Sequence, residues 1–595
     1  MNKKVFNLFT AKEKRNLILT LFAMLILGVL EVAGIASILP FMAVVSNPES
    51  IEENNILFSI YTYFNFNNSS SFLLVLGIVV FVLIVFSNAF SAWMNWWTTY
   101  FVSLQSHRIS TLLLEQYLSK SYTFFLNRNS SDLSKNIINE VNRCVGGIFL
   151  PALQIIAKII VTVLVVSLLI LVDPVAAIVV MLTLGLSYLL IYKLVRNRLH
   201  LMGVLTSDTN LARYKIANEA ISGVKDLKLM GREQEFVRRF SIPSKDYAEY
   251  LSNSNAISSL PRYLLEAIAF GGIILLVLFM IKNGGKSGEV IPVVSLYALA
   301  GYRLLPALQQ IYAGLTKIRY NLPALNILLD DFLGDSAAVK RAVMPSKRSE
   351  ILPFEKHLKL ENIEFSYPNT KSPVIENLDI TIIPCTTIGF VGSTGSGKTT
   401  LVDILLGLLQ PDNGDIFIDD IRITSKNISM YQKNIGYVPQ TIYLLDDTIE
   451  RNIAFAVPDD SIDNDRVIKS AQLAELDTFV KSLPDGYQTV VGERGVRLSG
   501  GQRQRIGIAR ALYDEPKILV LDEATSALDG KTENVIMDAL HNLSHDKTII
   551  MIAHRLSTLK ECDTIYILKN GNIIDSGKYK ELISNNNQFK EMANL

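Results

Sequence analysis

The chain runs to 595 residues with a formal net charge of +1. That length exceeds what one hydrophobic core organises, so at least two regions are expected, and the near-neutral balance removes any global electrostatic case for nucleic acid as a partner. The three cysteines, Cys144, Cys385 and Cys562, show neither metal-ligand spacing nor a disulfide framework, which suits a reducing compartment.

The N-terminal stretch MNKKVFNLFTAKEKRN is basic. It leads into an apolar run too long for a signal h-region and without a convincing cleavage site, so the first span is expected to be retained. Apolar stretches of about 20 residues or more, the length that crosses a hydrocarbon core, fall at 17–45, 72–102, 146–172, 175–195, 258–281 and 290–313. Six spans are therefore expected. Residues 47–70 carry no Lys or Arg, and neither does the Asp173-Pro174 turn, so both connections read as outside.

Arg108, Lys120, Arg128, Lys135 and Arg143 follow the second span, and Arg196, Arg198, Lys225, Lys228, Arg232, Arg238 and Arg239 follow the fourth. The positive-inside bias places these stretches and both termini in the cytoplasm, with Lys282 and Lys286 after the fifth span as a minor dissent. Both inside connections have helical periodicity, so the spanning helices are expected to continue beyond the bilayer. Contacts with a following motor are expected around Asn136 to Arg143 and in GVKDLKLMG, 223–231; the alternative is a pair of ordinary solvated hairpins.

From about residue 350 the pattern changes to short β-branched strands alternating with helices, as in an α/β domain. TTIGFV, 386–391, reads as a buried strand that runs into GSTGSGKTT and then an apolar helix, which is the setting a P-loop requires. Gly392, Ser393, Thr394, Gly395, Ser396, Gly397, Lys398, Thr399 and Thr400 would form the phosphate cradle. The glycines let backbone N–H groups face the phosphates, and the helix N-terminus adds its positive dipole end. Lys398 suits the β and γ phosphates of ATP, and Thr399 suits Mg²⁺. In KILVLDEATSALD, 517–529, an apolar strand delivers Asp522 toward Mg²⁺ and Glu523 toward the water that attacks the γ phosphate.

LSGGQ at 498–502 resembles the signature motif of ATP-binding-cassette (ABC) proteins, and the resemblance covers 357–595. Tyr367 in FSYP resembles the adenine-stacking aromatic, Gln440 in YVPQ the Q-loop residue that meets metal and attacking water, Ser526 to Asp529 the D-loop, and His554 in IAHR the switch histidine. The resemblance implies that Ser499, Gly500, Gly501 and Gln502 close over nucleotide held by the P-loop of another copy, hence a homodimer with two shared ATP sites. TVVGERG, 489–495, resembles the loop that exporter cassettes set against membrane helices. The expected fold is thus an α-helical six-span transmembrane domain at 1–330, a linker at 331–356 and an α/β P-loop ATPase domain at 357–595, the architecture of an ABC exporter half-transporter. Cassette ATPases of DNA repair or translation are excluded by the spans. A channel or receptor with a regulatory cassette lacks support, because both hydrolytic elements are intact and no long regulatory insert is evident.

Cargo is read from polar groups inside spans, where an Arg, Lys or Asp at a helix centre costs roughly 2.5–3.5 kcal/mol. Glu31, Lys158, Arg262, Glu266 and Arg303 qualify. Arg262 and Arg303 suit an anionic headgroup such as a polyprenyl-linked pyrophosphate sugar, although Glu266, one turn after Arg262, can equally neutralise it. These segments resemble PglK-type lipid-linked oligosaccharide flippases. NILFSIYTYF, 55–64, is similar to that family's short external amphipathic helix, the alternative being a loop that packs apolar residues at the interface. Span two has no arginine where that family can supply one. The resemblance implies a lipid-linked substrate, membrane lipids as surroundings and the bacterial inner membrane as location; a lipid A or multidrug exporter of the same architecture is the alternative.

Overall fold

The computed structural model describes residues 9–46, 48–66, 68–172, 174–263, 266–267, 270–271, 274, 278, 287–333, 351–368, 370, 372–524, 533, 535–538, 543–544, 546–553 and 555–593. The chain divides into two compact units, the first made of Met1–Lys120 and Asn127–Ala342, the second of Ser121–Leu126 and Val343–Leu595.

The first unit is helical. Helix α1, Ala11–Ala36, starts at a capping box in which Thr10 and Glu13 satisfy each other's backbone N–H groups. After α2, Ile38–Ser46, the segment expected to be an external helix is α3, Asn55–Tyr63. It buries Leu57 against Val44, Ile51 and Phe72 while leaving Phe58 and Tyr63 exposed. Helix α4, Ser69–Leu118, has 50 residues, about 75 Å at 1.5 Å per residue and more than twice a hydrocarbon core of about 30 Å. It must leave the bilayer while still helical.

Short helices α5, Tyr122–Leu126, and α6, Ser130–Lys135, follow. Two π-helical turns, Asn136–Glu140 and Val145–Phe149, lead into α7, Leu150–Val172. Helix α8 spans Pro174–Ser222, α9 Val224–Met230, α10 Glu233–Ser259 and α11 Ser287–Leu333. Among the described residues three helical stretches are long and apolar enough to cross a membrane: Ala11–Val45, Ser69–Leu118 and Ser130–Leu171. The expected fourth and sixth spans fall within α8 and α11. Much of the expected fifth, with Lys282 and Lys286, and also Asp173, lie outside the described residues.

The stretch expected to meet a motor, Asn136 to Arg143, is partly buried, with Ile138 and Asn142 exposed. Asn136, Glu140 and Val141 are buried, and Arg143 donates to Glu140 Oε2 at 3.0 Å, to Ser207 Oγ at 2.5 Å and to Asn321 Oδ1 at 3.3 Å. A desolvated guanidinium needs several acceptors, and α8 and α11 supply them. These helices approach closely at Gly203, where an added Cβ would collide with the Tyr320 carbonyl oxygen. The residues of this connection that group with the second unit are Ser121–Leu126. By contrast, α9 in 223–231 buries no residue and ends on Gly231 at φ +62°. In the membrane-spanning region Lys158 Nζ lies 3.9 Å from Glu31 Oε1, so these two candidates for cargo contact pair with each other.

The second unit holds two sheets. One is antiparallel, in the order β2-β1-β4-β5: β1 Leu358–Phe365, β2 Ile375–Ile382, β4 Asn413–Ile418, β5 Ile421–Arg422. The other runs β10-β9-β3-β8-β7-β6: β3 Thr387–Gly392, β6 Ile435–Val438, β7 Ile518–Asp522, β8 Thr548–Ile552, β9 Thr564–Lys569, β10 Asn572–Gly577. All its neighbours pair in parallel except β9 with β10. Strands β7 and β8 are buried at every residue, as a sheet covered on both faces demands. One core, with Leu360, Phe390 and Leu401, lies between the sheets; the other, with Leu519, Ile508 and Val467, lies on the opposite face.

Candidate nucleotide-binding site

Ligands of parallel sheets bind beyond the carboxyl ends of the strands. There β3 passes into the glycine loop, and helix α12, Lys398–Leu405, begins. Gly397 sits at φ +101°, in a region L-residues avoid, and an added Cβ would meet Ile375 Cδ1 at 2.8 Å, so no other residue fits this turn. Ser393, Thr394 and Gly395 are exposed, whereas Ser396, Gly397, Lys398 and Thr400 are buried. Ser396 Oγ is buried without a hydrogen-bond partner. Thr399 is exposed, and Thr400 Oγ1 lies 3.1 Å from the Tyr367 hydroxyl, which ties Tyr367 to the loop.

Lys398 Nζ donates to the carbonyls of Gly392 at 2.7 Å and Ser393 at 3.1 Å. Burial lowers its pKa, and Glu523 and Asp522 oppose that by favouring the ammonium. A cation at the loop's mouth, an exposed Thr399 hydroxyl and an unpartnered buried Ser396 hydroxyl fit a phosphate chain and its divalent cation.

Asp522 ends β7 and is buried. Glu523 follows at φ +50°, its N–H held by the Ile552 carbonyl at 3.0 Å. A non-glycine residue there stores strain, a feature that clusters at functional sites. The β6–β7 pairing sets Val438 beside Leu521, and two residues beyond β6 Gln440 Nε2 donates to Glu523 Oε2 at 2.7 Å. The P-loop lysine, Gln440, Asp522 and Glu523 thus converge.

Two further residues belong here that sequence reasoning missed. Burial, with Asp522 adding to it, pushes the Asp403 carboxyl up to about 6. Burial, and then Asp522, also raises the Tyr437 phenol. Their signals were available: Asp403 lies one helical turn past Thr399, and Tyr437 opens YVPQ.

Ser499 caps helix α13, Gly500–Leu512: its Oγ accepts from the Gln502 N–H at 3.2 Å, while Gln502 Oε1 accepts from the Ser499 N–H at 2.8 Å. Gly500 and Gly501 open that helix without side chains of their own. Arg510 near its far end, also missed, donates to the carbonyls of Asn452 and Tyr443, each at 2.8 Å, and burial brings it down to about 10. Ser526 to Asp529 and His554 lie outside the described residues.

In the first unit Arg262 Nε meets Glu266 Oε1 at 2.5 Å, the one-turn pair expected as the alternative to cargo contact. Arg303 lies on α11, and its side chain is outside the described residues.

Helices long and apolar enough to cross a membrane thus share one chain with a P-loop domain. Residues 13–301 match the ABC transporter transmembrane region, and residues 375–526 match the ABC transporter family. The chain belongs to the ABC transporters, with the transmembrane and ATPase parts on one polypeptide. It is 34% identical over 381 residues to an ATP-dependent lipid A-core flippase of Saccharophagus degradans, an alignment covering 64% of this chain and 62% of that protein. It is 32% identical over 387 residues to ABC transporter B family member 13 of Arabidopsis thaliana, covering 64% of this chain and 30% of that one. The chain therefore spans less than two thirds of the length of these curated relatives. The structure of a bacterial Atm1-family ABC exporter with ATP bound superposes with a TM-score of 0.77 at 22% identity, covering 97% of both chains, which establishes the exporter fold.

Proposed function

We propose that this chain is one half of an ATP-driven exporter that works as a homodimer, hydrolyses ATP with Mg²⁺, and moves a lipid-linked oligosaccharide or a similarly anionic lipid across the bacterial inner membrane. Its termini and ATPase domain, 357–595, would face the cytoplasm, joined by the linker 331–356 to the transmembrane domain 1–330. The observation that carries the ATPase reading is the Gln440–Glu523 hydrogen bond beside Lys398 at the end of the parallel strands.

When bound, Mg²⁺ would neutralise phosphate charge. Lys398 would offset the charge of the β and γ phosphates, Thr399 and Asp522 would hold the metal, and Gln440 holds Glu523 where its carboxylate can take a proton from the attacking water. Tyr367 stacks the adenine, and His554 would hold the γ phosphate from beyond β8. Ser499, Gly500, Gly501 and Gln502 close over the partner's nucleotide, so ATP favours the closed dimer and hydrolysis releases it.

A lipid cargo is supported by relatives that bear the name lipid A-core flippase. With Arg262 occupied by Glu266, Arg303 is the residue expected to meet an anionic headgroup. A lipid A cargo is the second reading, favoured by those relatives' names. The deciding experiment reconstitutes the protein in vesicles containing either a labelled polyprenyl-pyrophosphate sugar or labelled lipid A, and follows ATP-dependent movement between leaflets. Movement of the first supports the proposal; movement of lipid A alone replaces it; hydrolysis with movement of neither rejects both.

A further inference from the structure

Asp331 lies two residues before the end of α11, and that last turn holds no basic residue. A carboxylate there faces the negative end of the helix dipole and is destabilising unless donors surround it. They do. Asp331 is buried, and its Oδ2 accepts from the Tyr117 hydroxyl at 2.5 Å and from Asn136 Nδ2 at 2.9 Å. Its Oδ1 accepts from Arg128 Nη1 at 2.9 Å. Gln116 Nε2 caps the carbonyls of Asp331 and Phe332 at 3.2 and 3.3 Å, two of the acceptors a helix end leaves unpaired.

The donors come from both sides of one short segment. Gln116 and Tyr117 form the last turn of α4, Arg128 precedes α6, and Asn136 opens the π-helical turn after it. Between them runs Ser121–Leu126, the piece of this connection that groups with the ATPase unit. Both strands entering and leaving α5 are therefore fastened to the C-terminal turn of the last long helix.

We infer that Asp331 is a positioning residue for energy coupling: it fastens the ends of α4 and α6 to the end of α11, so that displacement of α5 by nucleotide moves α4 and α11 together. The inference rests on the reading of the chain as an ATP-driven transporter. A carboxylate is needed because three donors converge on its two oxygens. An amide has one acceptor, and its NH₂ must then face a donor.

The test is hydrogen–deuterium exchange of the full-length protein in vesicles, with and without MgATP plus vanadate, alongside ATP hydrolysis. In the wild type, nucleotide should slow exchange at least threefold both at 121–126 and at 325–333. Asp331→Asn should keep at least half of the hydrolysis rate and the response at 121–126, yet lose the response at 325–333. Adding Arg128→Gln should restore it, because the new amide oxygen accepts from the new NH₂; a merely structural role would make the double variant worse than either single one. If Asp331→Asn does not fold, Arg128→Gln alone, at a side chain 40% exposed, should weaken the same response. A wild type with no response at 325–333, or an Asp331→Asn protein with an unchanged one, overturns the inference. Absence of hydrolysis in the wild type overturns the underlying functional reading instead.

Discussion

Gln440 and Glu523 stand 83 residues apart in the chain, yet the amide of one donates to the carboxylate of the other at 2.7 Å. The contact exists because β6 and β7 are parallel neighbours and both polar residues lie just past the strand ends. It aims the Glu523 carboxylate at the carboxyl end of the parallel strands.

On the proposed mechanism, Glu523→Gln keeps ATP affinity within about threefold, because the phosphate cradle is untouched, and lowers turnover by about 10²–10⁴, the usual weight of a general base. Phosphate release measured beside nucleotide binding checks this. A rate within tenfold of wild type removes the assigned role.

Ser499→Arg tests the shared site. Loss of the cap costs about 1 kcal/mol of helix stability, too little to unfold the ATPase domain, whereas an arginine above the bare Gly500–Gly501 turn blocks approach of a second copy's nucleotide. The expected outcome is hydrolysis reduced more than 50-fold with unchanged binding of a nucleotide analogue. A detergent-isolated monomer that hydrolyses ATP at full rate contradicts the dimer.

Asp403, pushed from an ordinary 3.8 up to about 6, gives a pH signature. Well below the ordinary 3.8 it is protonated folded and unfolded, with no penalty. Between about 4 and 6 the unfolded state ionises first, so the folded state loses stability as pH rises, and above 6 the full penalty remains. Asp403→Asn should therefore raise Tm clearly at pH 7 and much less at pH 4. After discounting for partial solvent access, the gain is about 1 kcal/mol, roughly 2–4 °C in the nucleotide-free protein. Thermal melts at both pH values decide it; equal shifts at both remove the ionisation cause.

Arg303→Ala tests the cargo assignment. The variant should reach the membrane and keep basal hydrolysis, yet lose ATP-dependent movement of a pyrophosphate-linked lipid. Transport within twofold of wild type would leave the headgroup without its principal residue; failure to fold would make the arginine a brace.

The candidate nucleotide site was legible in the sequence because the proposed chemistry uses contiguous residues: a phosphate cradle would need Gly392–Thr400 together, and a strand end delivers Asp522 and Glu523 side by side. The apolar runs were legible for a similar reason, since a bilayer imposes a length. Tertiary structure alone decided which polar residues meet. Arg143 lies in a stretch expected to be a contact, but Glu140, Ser207 and Asn321 enclose it. Tyr117, Arg128 and Asn136 converge on Asp331, about 200 residues later, by helix packing. Helical periodicity marks a polar face but carries no information on which distant side chain desolvates it.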